Sequence, residues 1–193
     1  MEYGFSNAKH SDSMYGFSRK EPQRFYLKQG QTKEIIFVDD VPAVFTEHKV
    51  WLNGKYQHFT CLKDQCPLCN IGLRAEKVFS LTAIDTTPWT DRSGDIHRES
   101  LVLFVGKMNV AQILKKEKER QGKLKDLKFS VSRDNQIYAP IVGNSFTLIN
   151  DSPQLGESYS PFNYQDILKE KSVNELLSVA DTIISKDGRR NER

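Results

Sequence analysis

The stretch Glu47-His48-Lys49-Val50-Trp51-Leu52-Asn53-Gly54-Lys55-Tyr56-Gln57-His58-Phe59-Thr60-Cys61, running on through Leu62-Lys63-Asp64-Gln65 to Cys66-Pro67-Leu68-Cys69, decides how this chain reads. Two strand-like runs flank Asn53-Gly54, the strongest two-residue hairpin signal, because both residues tolerate the positive φ of a type I′ turn. The stretch also holds every cysteine of the chain, three within nine residues at Cys61-x4-Cys66-x2-Cys69. Three thiolates and an imidazole make a complete tetrahedral set for zinc.

Two histidines compete for the fourth place. A two-residue turn pairs Leu52 with Lys55, so Trp51 opposes Tyr56, Lys49 opposes His58, His48 opposes Phe59 and Thr46 opposes Cys61. Side chains alternate faces along a strand. His48 and Cys61 then lie diagonally on one face, close enough to share an ion, and His58 points the other way. A three-residue turn would shift the register by one and select His58 instead. The two-residue count favours His48, with Cys61, Cys66 and Cys69, around a structural zinc. Four protein ligands leave no open position for water, which argues against metal-assisted hydrolysis.

The same count puts Lys49, Trp51, Tyr56, His58 and Thr60 on the opposite face. That surface mixes cations with aromatic rings and suits base stacking, which is sequence-tolerant because every base has a π-face. A cross-strand aromatic pair that only stabilises the sheet would read the same way. Further candidates for a nucleic-acid contact are Arg24, Tyr26 and Lys28 on the first strand, Arg74 and Lys77 after the cysteines, and Trp89 with Arg92 in a long loop.

Working outward, the chain from residue 24 to residue 150 is strand-rich. Residues 24–28 and 33–38 flank a polar Gln29-Gly30-Gln31-Thr32 turn and predict a hairpin. Strands are expected at 44–52, 55–61, 77–85, 98–105, 127–133 and 144–149. A short helix at 108–121 carries Val110, Ile113 and Leu114 as its apolar stripe and stops at Gly122. The fold class is mainly β. This order suits an OB-fold barrel with an inserted zinc-binding subdomain at about 46–72, one helix between late strands and a helical C-terminal segment, although other small β barrels share it.

Three regions follow: an arm at 1–21, a core at 22–150, and a linker with helical segment at 151–193. The arm is polar and repeats Tyr3-Gly4-Phe5-Ser6 as Tyr15-Gly16-Phe17-Ser18. It reads as a flexible arm, in which the repeat is either incidental or a docking motif. Pro153, Gly156 and Pro161 mark the linker. Residues 163–185 show helical period and predict one or two short helices that dock on the barrel or on a partner.

The chain is 38% hydrophobic with a formal net charge of +3, which allows a real core but does not by itself demand a polyanion partner. No apolar run reaches membrane-spanning length, and residues 1–20 lack the apolar stretch of a signal peptide. A cytoplasmic setting is expected, where clustered cysteines read as metal ligands before disulfides. No His-x-Glu deaminase signature, P-loop, Ser-His-Asp set or paired-carboxylate motif stands out, so an enzyme is not expected.

With these residues placed, the chain over about 24–150 resembles the single-stranded DNA-binding proteins of tailed bacteriophages, of the T4-type helix-destabilising kind. Arg24-Phe25-Tyr26-Leu27-Lys28 followed by a turn and Ile35-Ile36-Phe37-Val38-Asp39-Asp40 is similar to that family's opening. Glu47-His48, Gly54, Phe59-Thr60-Cys61 and Cys66-Pro67-Leu68-Cys69 are similar to its zinc-containing stretch, although the gap from Cys61 to Cys66 is shorter here. The aliphatic strand to Ile84-Asp85, the Ser93-Gly94 loop and the strand to Lys107 also fit. The resemblance implies an OB fold, His48 as the fourth zinc ligand, and binding of single-stranded DNA without sequence preference in replication, recombination and repair, within an infected bacterial cell. The basic end Lys186-Asp187-Gly188-Arg189-Arg190-Asn191-Glu192-Arg193 departs from the acidic tail such proteins use to recruit partners. A phage replication or transcription protein docking on the arm or on the terminal helices, as in a factor that binds RNA polymerase, is the alternative reading.

Overall fold

The computed structural model describes residues 22–91, 93–149, 159–168 and 170–188. The arm with its repeat, Arg92 and most of the expected linker lie outside the described residues.

The chain is mainly β. Nine strands are described: β1 Thr32–Phe37, β2 Ala43–Leu52, β3 Lys55–Thr60, β4 Ala75–Asp85, β5 Trp89–Thr90, β6 Ile96–His97, β7 Ser100–Lys107, β8 Lys128–Ser132 and β9 Ser145–Ile149. The helices are α1 Pro67–Asn70, α2 Met108–Gln121, α3 Tyr164–Ile167 and α4 Val173–Gly188. One antiparallel sheet runs β3-β2-β4-β1-β8-β9, with β7 along the other edge of β4. β5 and β6 form a separate small hairpin.

β4 is the spine. Its first half, Ala75 to Ser80, pairs with β2; its last residues, Ala83 to Asp85, pair with β1; and β7 runs beside it from Val78 to Asp85. Alternate β4 side chains face the main core. Phe79, Leu81 and Ala83 join Phe25, Leu27, Phe37, Phe104, Phe129, Val131 and Phe146 there, capped by Val110 and Leu114 of α2. Phe104 is the hub, with ring centroids 5.4–6.1 Å from those of Phe25, Phe37, Phe79 and Phe146. α2 starts directly after β7 and ends where Gly122 takes a left-handed conformation, φ 80°, which costs glycine nothing.

The expected hairpin of residues 24–28 with 33–38 does not form. Both edges of β1 are taken, by β4 and by β8, so no edge is left for the preceding segment. Residues 23–27 instead run as an extended strap. Leu103 of β7 donates to the Gln23 carbonyl at 2.8 Å, Phe25 donates back to the Leu103 carbonyl at 3.0 Å, and Leu27 donates to the Ile141 carbonyl at 2.8 Å. The alternation of that segment still holds, with Phe25 and Leu27 buried and Tyr26 half exposed.

A second, smaller core lies beyond the early end of β4. Val50, Leu52 and Phe59 of the β2–β3 hairpin meet Cys61, Cys66 and Leu68, and α4 closes the cluster with Leu176 and Ala180. The C-terminal helix therefore packs against the cysteine-bearing module of its own chain. Before it, residues 159–168 lie across the outer face of β4 and β7, where Phe162, Tyr164 and Ile167 cover Val78, Leu103 and Val105. The Tyr164 hydroxyl bonds to the Asp39 carboxylate and to Thr82 Oγ1, which also accepts from the Phe162 N–H.

Candidate metal centre and nucleic-acid interface

The hairpin turns in two residues. Asn53 and Gly54 both have positive φ, 52° and 78°, and Leu52 pairs with Lys55. Trp51 is then opposite Tyr56, Lys49 opposite His58 and His48 opposite Phe59. The Cys61 N–H donates to the Thr46 carbonyl at 2.8 Å, which carries the register to the first cysteine. Cys66 precedes α1, whose first residue is Pro67. The missing N–H of proline is no loss at that position, and one tight turn brings Cys66 and Cys69 to the same side.

His48, Cys61, Cys66 and Cys69 form a compact potential metal-binding site, with all four ligand atoms within 4.8 Å of one another. His48 Nε2 is 3.4 Å from Sγ of both Cys66 and Cys69, and Sγ of Cys61 is 3.5 Å from that of Cys69. Tetrahedral zinc bonds of about 2.3 Å to sulfur and about 2.0 Å to nitrogen require sulfurs about 3.8 Å apart and nitrogen to sulfur about 3.5 Å. These three separations fit that geometry within a few tenths of an ångström.

The protonation chemistry also fits a cation. Burial lowers the pKa of His48 below the usual imidazole range, and the neighbouring Arg74 backbone offsets this only in part, so the ring is neutral as a ligand must be. Burial pushes the Cys66 thiol up, but backbone groups of Cys69, Leu62 and Leu68 outweigh it and the net shift is downward. The Cys69 thiol is pushed up to about 12, by desolvation first and then by Cys61 and Cys66. A second and third thiolate so close to the first need a positive charge between them. The Lys63 N–H points at Cys61 Sγ from 3.4 Å, the kind of outer hydrogen bond that orients a thiolate ligand.

The opposite face of the hairpin is open. Trp51 and Tyr56 are each 57% exposed. Their rings meet edge to face at 4.8 Å, and Lys49 Nζ lies 4.2 Å from the Tyr56 ring centre. His58 does not approach the cysteines; its Nδ1 is 3.0 Å from Glu47 Oε1. Glu47 is buried, and Arg24 grips it with two bonds, Nη1 to Oε1 at 3.0 Å and Nη2 to Oε2 at 2.7 Å. Burial raises the Glu47 pKa, but His58 and Arg24 overcome that and hold it below the usual carboxylate range.

Beside this face lies a groove of about 430 Å³. Arg24, Glu47, Tyr56 and His58 line it on one side, and Ile167, Leu168 and Lys171 on the other. Tyr56 belongs to both surfaces, so the aromatic face runs into the groove. Thr60 Oγ1 donates to the Leu168 carbonyl at 3.2 Å and ties the two walls together.

The sequence candidates thus divide. Lys49, Trp51 and Tyr56 share the open face, and Arg24 and His58 adjoin it in the groove. Arg74 is exposed where the module meets β4. Tyr26 and Lys28 follow the strap away toward Ile141 and Arg133. Trp89 sits past the far end of β4, stacked on His97 at 4.4 Å with its Nε1 donating to Ser100 Oγ. Ten residue steps of β4 separate Ala75 from Asp85, about 33 Å at the strand rise, so Trp89 belongs to a separate patch.

Three charged groove residues, Glu47, Lys55 and Lys171, were not among the sequence candidates. Glu47 was legible in principle, because alternation puts it on the face of Lys49 and Trp51. Lys171 was not, since nothing local says that residues 159–168 and Lys171 come back to the hairpin. Among the described residues no helix is long and apolar enough to cross a membrane. Comparison with protein-family models and with curated protein sequences returns no match.

Proposed function

We propose that the chain binds single-stranded DNA without sequence preference, through the Trp51–Tyr56–Lys49 face and the adjoining groove, with a structural zinc at His48, Cys61, Cys66 and Cys69. One observation carries this reading. Two large aromatic rings and a lysine stand exposed on a hairpin whose other face is fixed to a Cys3His cluster. Such rings are costly to leave in water without a ligand, and a base stacked on them contributes roughly 1–3 kcal/mol.

The strap of residues 23–27 supports a closed, OB-type barrel, because it joins the β7 edge at Leu103 to the Ile141 loop before β9. That architecture, the zinc and the sequence features above support a place among phage proteins that protect single strands in replication, recombination and repair. The alternative, a factor that docks on a polymerase through its terminal helices, has less support. α4 spends Leu176 and Ala180 on the module of its own chain.

Titrating a homopyrimidine strand and a duplex of equal length at several salt concentrations tests the reading. The single strand should bind more tightly, and its log affinity should fall against log salt with a slope of roughly −0.7 per phosphate neutralised. Equal affinity for both, or for neither, would overturn it. Metal analysis of purified protein should return one zinc per chain, lost in His48→Ala and kept in His58→Ala.

A further inference from the structure

Glu47 is out of place in a site for a polyanion. It is 7% exposed and sits on the strand face that carries Lys49 and Trp51. A buried carboxylate is costly unless paired, and beside a phosphate it also repels. Yet both of its oxygens are occupied, Oε1 by Arg24 and His58 and Oε2 by Arg24. Arg24 belongs to the strap, which has no hairpin of its own to fix its side chain. The bidentate pair with Glu47 sets the plane of the guanidinium.

A guanidinium has five N–H donors. Two go to Glu47, and three remain for the groove that Arg24 lines. Both Glu47 oxygens already accept from Arg24, so Oε1 accepts from His58 as well, Nδ1 carries the hydrogen in that bond, and Nε2 is left for a ligand. Both groups are thus presented in fixed orientations, with Lys171 on the facing wall.

We propose that Glu47 is a positioning residue for the DNA strand. It orients Arg24 and His58 so that the remaining N–H groups of Arg24 meet a phosphate at the groove while the neighbouring base stacks on Tyr56. The inference rests on the single-stranded DNA reading and adds to it a residue whose charge alone would oppose binding. That opposition gives the test a sign. If only charge mattered, removing the carboxylate would strengthen binding.

The experiment is a Kd measurement with a homopyrimidine oligonucleotide at several salt concentrations on the full chain. Circular dichroism and zinc content serve as checks on the fold. Glu47→Gln should bind roughly tenfold more weakly, the loss expected when a charge-assisted hydrogen bond is broken. Arg24→Lys changes a part-exposed side chain and keeps the charge but cannot form the fork. It should lose a similar factor with an unchanged salt slope. In a background of Arg24→Gln with His58→Gln, Glu47→Gln should cause no further loss and should tighten binding, because only the repulsion is then left to remove; a further loss there would mean a merely structural role and overturn the proposal. Equal or tighter binding by Glu47→Gln, or full affinity in Arg24→Lys, overturns the role of Glu47 and leaves the DNA reading standing. Absence of binding by the wild-type chain overturns the DNA reading and this inference with it.

Discussion

The two cores of this molecule are built on different terms. Among the described residues the main core gathers sixteen buried side chains, six of them phenylalanines, from segments far apart in sequence. The module core holds eight, two of them cysteines. That smaller cluster has less apolar surface with which to hold the outer part of the β2–β3 hairpin, beyond the residues of β2 that pair with β4. It is closed from outside by α4, and at its centre lie four donors that could hold one ion. The first core is held by packing; under the proposed function the second is held by coordination as well. The proposed binding face sits on the second, where two aromatic rings stand exposed.

Removing the metal is the sharpest way to separate the two. Structural zinc sites in small domains contribute on the order of 10 kcal/mol to folding. Cys66→Ser, or a strong chelator, should unfold the β2–β3 tip and release α4 while β1, β7, β8 and β9 stay ordered. Hydrogen exchange would show it as lost protection at residues 48–61 and 173–185 only. Loss of protection throughout β8 and β9 would mean the two cores are one cooperative unit. The converse change is Phe104→Ala. Four aromatic rings would lose their common partner, at a cost of about 3–5 kcal/mol. The denaturation midpoint should fall while zinc stays bound at one per chain in the folded state.

The difference between the cores also explains what the sequence could show. The module was legible because its determinants are local. Asn53-Gly54 fixes the register, the register selects His48, and Cys66-Pro67-Leu68-Cys69 carries its own turn. Strand and helix positions from 77 to 149 were legible from period and from Gly122. The partner of residues 24–28 was not. A local turn signal at Gln29-Gly30 suggested Lys33 to Val38, but two distant strands outbid that segment for both edges of β1. The return of residues 159–168 to the hairpin was equally hidden, since it depends on Thr82, Asp39 and Thr60, none of which is near it in sequence.

A smaller change should leave both cores alone. Trp51→Ala removes a ring that lies outside either one. Zinc content and melting temperature should hold within error, while affinity for a single strand falls by about 1–3 kcal/mol. If the variant loses zinc or melts early, the ring is part of the clamp and the two faces of the hairpin are not separable. Trp89→Ala, at the far end of β4, should change neither quantity for an oligonucleotide too short to reach it.

The smallest effect is a pair of opposite pH dependences, one near each core. Glu47 has its folded pKa lowered by His58 and Arg24 against the effect of burial. Its stabilisation is therefore present above the unfolded value, about 4.3, and is lost as pH falls through the folded one. Asp39, under the 159–168 segment, has its folded pKa raised, chiefly by burial, with Asp40 adding to it, although Tyr164 and Thr82 pull the other way. Its contribution is present below the unfolded value, about 3.9, and is lost as pH rises through the folded one. Glu47→Gln should therefore lower stability at pH 7 and become indistinguishable from wild type once pH is below the folded pKa. Asp39→Asn should do the reverse. An amide can accept from the Thr82 N–H and donate to the Tyr164 oxygen, leaving the tyrosine hydrogen for Thr82 Oγ1. It should stabilise at pH 7, and the gain should fade on acidification. Denaturant midpoints from pH 3 to pH 7 for the two variants should diverge from wild type in opposite directions as pH rises. Curves that move together would mean that one of the two carboxylates is not held as its hydrogen bonds indicate.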